Sequence, residues 1–107
     1  MTEQTPTPQK GNWSVNATAI IATESARRYL GQFVSHFAHK LPAAREADNS
    51  QGEVSFATGL CTLDADAQKL SIIVNAGSVE DLTRLKDVVD RHLLRFAFRE
   101  DLQINWR

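Results

Sequence analysis

Two stretches of this chain place apolar side chains on a single helical stripe and nowhere else, and each stripe needs a surface to cover. In the first, Ala26, Tyr29, Leu30, Phe33 and Phe37 recur at three- and four-residue spacing. In the second, Leu82, Leu85, Val89, Leu93 and Phe96 do the same. A helix that is apolar on one side alone is stable only when packed against another layer. The segments between supply that layer. Trp13 to Ile21 alternates, with Trp13, Val15, Ala17, Ala19 and Ile21 on one side and Ser14, Asn16 and Thr18 with Ile20 on the other. Lys69 to Ala76 alternates more strictly, with Leu70, Ile72, Val74 and Ala76 inward. Period-two patterning with one polar side describes a sheet that shows one face to water, as antiparallel sheets often do.

Local signals set the boundaries. Thr23 reads as an N-cap with Glu24 beside the positive end of the first helix dipole, and Pro42 predicts an end near Lys40. Ala43 to Ala47 reads as a short edge strand, followed by turn residues from Asp48 to Gly52. Glu53 to Asp66 reads as one strand bulged or bent at Gly59. Ser78, with Asp81 three residues on, resembles a capping box opening the second helix. Glu80–Arg84 and Asp87–Arg91 are acid-before-base pairs on its outer side. Arg99, Glu100 and Asp101 read as a charged turn closing that helix, and Gln103 to Trp106 as a last short strand.

These elements predict an α+β two-layer sandwich. It has a four- or five-stranded, mainly antiparallel sheet with two helices on one face, as a relative of the ferredoxin-like plan. Residues 1–12 read as a flexible tail and 13–107 as a single domain, within the usual size for one. With Ala43 to Ala47 taken as a strand, the chain alternates direction so that both helices run the same way.

Twelve basic against thirteen acidic residues, with no basic block, argue against nucleic acid or an anionic membrane as partner. No apolar run reaches the roughly 20 residues that span a bilayer. A lone cysteine, Cys61, and an N-terminus without an apolar signal segment point to the cytoplasm.

Four side chains have chemistry to offer: His36, His39, His92 and Cys61. Imidazole and thiolate suit zinc, iron or copper. On helical geometry His36 lies some 60° from the Phe33 stripe, and His92 borders the second stripe beside Val89 and Leu93. With parallel helices all four gather towards one end of the sandwich, as candidate ligands for a transition metal or another small ligand. The ordinary alternatives are a core cysteine and histidines favoured by helix C-terminal dipoles. No nucleophile elbow, oxyanion loop or phosphate loop is present, so an enzyme acting on a small organic substrate through Cys61 or a histidine ranks last among the readings.

At His36-Phe37-Ala38-His39-Lys40, Gly59-Leu60-Cys61, His92 to Glu100 and Ile104-Asn105-Trp106 the chain resembles a bacterial family, domain of unknown function family 2218. The likeness runs from about Val15 to Arg107, and the His-Leu-x-Arg-Phe-Ala-Phe-Arg-Glu stretch is its most specific part. The resemblance implies small stand-alone proteins, or domains joined to or encoded near siderophore-interacting flavin reductases, and brings no catalytic residues with it. Two functions follow: an accessory binding module in iron or siderophore handling, or a structural, homodimerising interaction domain. For the second, Ile20 and Ile73 on the polar sheet face offer a contact patch.

Overall fold

The structure, a computed structural model, describes residues 13–107, so the predicted tail lies outside the described residues. Strands β1 (Val15–Ala22), β2 (Ala43–Arg45), β3 (Gln51–Phe56), β4 (Gly59–Ala65) and β5 (Lys69–Ala76) form one sheet in the order β1-β5-β4-β3-β2. Every neighbouring pair is antiparallel. Helices α1 (Ala26–Ala38) and α2 (Val79–Phe96) cover one face. Tyr29, Leu30 and Phe33 of α1 and Leu82, Leu85, Val89 and Leu93 of α2 share a single core with Ala17 and Ile21, Val54, Cys61 and Leu63, and Leu70, Ile72 and Val74. The α+β sandwich and its two apolar stripes are as the sequence predicts.

The largest departure is in the middle of the chain. Residues 51–65 are not one bent strand but a hairpin, β3 paired to β4 through a turn at Ala57-Thr58. Gly59 is neither bulge nor bend. A Cβ there would meet the Asn75 carbonyl oxygen at 2.2 Å and Leu85 Cδ1 at 2.5 Å, so glycine lets β5 and α2 come close. The hairpin adds one reversal of direction. As a result α1 begins at the sheet end where Ala22 pairs with Lys69, and α2 at the opposite end, where Val15 pairs with Ala76. The expectation that both helices run the same way therefore fails.

Local ends also shift. α1 begins after Ser25, not Thr23, and no side chain caps it. Thr23 is used otherwise: its hydroxyl accepts the Ser25 N–H at 3.0 Å and lies 2.9 Å from Glu100 Oε1. The Tyr29 hydroxyl donates to the same carboxylate. Glu100 thus ties the turn after α2 to the start of α1. At α2 the Ser78 hydroxyl accepts the Asp81 N–H at 3.1 Å, as the predicted cap requires. Of the two predicted helix pairs, Asp87–Arg91 closes at 3.0 Å.

The last residues reach the sheet through a single bridge rather than a strand. Ala19 faces Trp106, and Thr18 and Arg107 exchange backbone bonds of 2.8 and 2.9 Å. The Trp106 indole N–H donates to Asp90 of α2 at 2.8 Å. This segment lies beside β1, so β1, α1, β4, β5, α2 and the bridge reproduce the ferredoxin-like order. The β2–β3 hairpin is added at the far edge, seated where Gly31 of α1 leaves room for the amide of Asn49, which adopts φ 61° in the hairpin turn.

Candidate functional site

The sequence places His36 beside the stripe of α1 and His92 beside that of α2, so where the helices pass, both imidazoles border the same seam. Their ring centroids are 4.8 Å apart. Phe37 closes the seam from below, 4.9 Å from His36 and 4.8 Å from His92. Phe56 of β3 lies 5.1 Å under Phe37, and Phe96 stands 5.9 Å from His36. The two imidazoles thus sit on an aromatic floor drawn from β3, α1 and α2, with His36 itself exposed.

The tautomer of His92 is fixed by its helix. Its Nδ1 lies 2.7 Å from the Val88 carbonyl oxygen, and since a carbonyl only accepts, Nδ1 carries the proton. Neutral His92 therefore offers a lone pair at Nε2. His36 is held below the ordinary imidazole range, first by loss of water against its neighbours and then by the positive charges of His92, Arg95, His39 and Lys40. Both effects favour the neutral ring, which is the form that binds metals.

The other two candidates do not join them. Cys61 is wholly buried on β4, between Val54 and Val74 on the flanking strands, and burial pushes its thiol far up. His39 is the C-cap residue of α1 and is exposed. Among the described residues no group of three or more His, Cys, Asp or Glu is placed to hold a metal ion. Of the four expected residues the fold brings His36 and His92 together, while Cys61 sits on the central strand β4 and faces the core, as its inward place beside Leu63 predicts.

Sequence reasoning assigned Phe37 and Phe96 to the core stripes and did not foresee their flanking the imidazoles. Their signal was present, since Phe37 follows His36 directly and Phe96 lies four residues after His92. On the opposite side of the sheet an open basin of about 440 Å³ lies over Glu46, Glu53, Thr62, Asp64, Ser71 and Ile73. No helix among the described residues is long and apolar enough to cross a membrane.

A family model described as an uncharacterised protein conserved in bacteria (DUF2218) matches residues 18–107. Among solved structures, the NMR structure of PA4090 from Pseudomonas aeruginosa is similar, with 31% sequence identity and a TM-score of 0.73. The match covers 88% of this chain and 96% of that one. No curated protein matches the chain.

Proposed function

For a chain that belongs to the DUF2218 family of uncharacterised bacterial proteins, we propose a binding module whose site is the imidazole pair His36 and His92, and whose ligand is a borderline divalent transition metal ion. The observation that carries this reading is the 4.8 Å ring separation with His92 Nδ1 already spent on Val88. An ion about 2.1 Å from a ring nitrogen sits about 3.2 Å from that ring's centroid, so two imidazoles sharing it at a tetrahedral angle have centroids about 5 Å apart. The pair stands at that spacing. The Val88 carbonyl plays the part that a backbone acceptor plays behind many metal-bound histidines, fixing the tautomer and aiming the ring.

Binding is favoured over catalysis because the one thiol is sealed in the core, where it cannot serve as a nucleophile. The cytoplasm suits that unpaired thiol. A place in iron or siderophore handling, with a siderophore-interacting reductase as partner, is what the family resemblance implies, and a transition-metal chelate is compatible with it.

Calorimetric titration of the full, untagged chain with Ni²⁺ and with Zn²⁺ tests the site. One ion per chain is expected, with affinity lower by about tenfold or more in His36→Ala and in His92→Ala and unchanged in His39→Ala. Equal affinity in all four proteins overturns the reading.

A second reading, a homodimer through the open sheet face, is favoured by Ile20 and Ile73, which are 46% and 42% exposed and diagonal neighbours across β1 and β5. Light scattering decides it: a dimer that Ile73→Glu dissociates supports it, and a monomer at high concentration removes it.

A further inference from the structure

We infer that the open face of the sheet seats the C-terminal end of α2 from a second copy of this chain, so that copies associate head to tail. This rests on the second reading above in taking the open face as the contact, and names what sits on it.

Two lines of side chains cross that face. Glu53, Thr62, Ile73 and Thr18 pair in turn across β3, β4, β5 and β1, and Gln51, Asp64, Ser71 and Ile20 do so beside them. Carboxylates therefore stand on the β3–β4 side and isoleucines on the β5–β1 side. The basin of about 440 Å³ opens over Glu46, Glu53, Asp64 and Ile73. The side chains of Glu46 and Asp64 form no ion pair among the described residues. Arg45, at the rim, donates to Asn49 at 2.8 Å, and Lys69 lies in the next line, opposite Ala22.

The end of α2 carries the opposite charge around bare apolar side chains. Leu94 and Phe98, four residues apart, are 48% and 76% exposed. Arg95 lies between them in sequence and is exposed, and the Arg99 guanidinium stands 5.3 Å from the centre of the Phe98 ring. Neither arginine forms an ion pair among the described residues. Asp87 pairs with Arg91, Asp90 accepts from Trp106, and Glu100 accepts from Thr23 and Tyr29, so Asp101 is the acid left nearest in sequence.

Within one copy these surfaces cannot meet, because both helices cover the other face of the sheet. Between copies they match in two ways. Leu94 and Phe98 lose water against Ile20 and Ile73, while Arg95 and Arg99 meet Glu46 and Asp64. Two sheets pressed face to face bury the same isoleucines but offer the carboxylates only the rim cations Arg45 and Lys69. A contact between unlike surfaces leaves each end copy with one of them free, so association continues beyond two.

Sedimentation of the full chain at rising concentration tests the arrangement. The natural sequence is expected to grow past dimers, and to do so less in high salt. Ile73→Lys on the face and Phe98→Glu on the helix end, both at exposed positions, each weaken association about tenfold or more. Mixed in equal amounts, the two variants form dimers and stop there, because one keeps only the helix end and the other only the face. A natural chain that stops at dimers, a Phe98→Glu variant that associates as the natural chain does, or a mixture that stays monomeric overturns the inference. The first two results leave the face-to-face dimer standing, and a natural chain that is monomeric throughout overturns both. Circular dichroism confirms that each variant keeps the fold.

Discussion

Beneath α1, Cys61, Phe33 and Val54 are wholly buried, whereas one turn further along the same helix His36 stands in water beside His92. Both places contain side chains able to bind a metal, and both are lined by phenylalanine. They differ in what covers them. Over β4 the stripe of α1 seals the sheet, and a thiol there loses its acidity with its solvent. At the seam two helix borders meet, and His36 stays exposed beside a half-buried His92. Chemical capacity in this fold is a matter of where a helix flank ends.

The contrast is broken most forcefully from the interior. Phe33→Ala removes a wholly buried ring and is expected to cost about 3–5 kcal/mol, measured by urea unfolding. That is a large part of the stability of a domain this size. A loss below about 1 kcal/mol would show that the interior is no more tightly built than the seam.

A smaller effect belongs to the seam. The folded-state pKa of His36 is depressed below its ordinary value of 6.5, so the folded protein binds its proton less readily than the unfolded chain. The stability from neutral His36 is therefore complete above about pH 6.5 and is lost as pH falls through the lower folded-state value. Thermal unfolding between pH 7.5 and 5 should show this decline, and His36→Asn should flatten it. An equal decline in His36→Asn would assign it to other groups.

The smallest effect is expected on the outer side of α2, where neither seal nor seam is involved. Asp87 and Arg91 are 63% and 68% exposed, and breaking their pair with Asp87→Ala should cost only about 0.3–0.5 kcal/mol, less in high salt. A loss above about 1 kcal/mol would mean that the outer surface contributes as the interior does.

Much of this was legible in the chain itself. The two helical stripes, the alternation of β1 and β5, the Ser78 cap and the short β2 all follow from periodicity and turn chemistry. The hairpin at Ala57-Thr58 was not legible, because neither residue is a strong turn former and the glycine beside them is there to admit Asn75 and Leu85. Of the site, His36 and His92 were legible as stripe borders. Their meeting was reached from helix directions that the fold does not have. The link from Thr23 and Tyr29 to Glu100 left no local trace, since its partners lie 77 and 71 residues apart.

By itself the sequence determined which residues face inward and which sit at the margins, because those follow from periods of 3.6 and 2 within short windows. Tertiary structure alone decided which margins touch. That depends on how many times the chain reverses before α2 begins, and one extra turn in the middle brings α2 in from the other end.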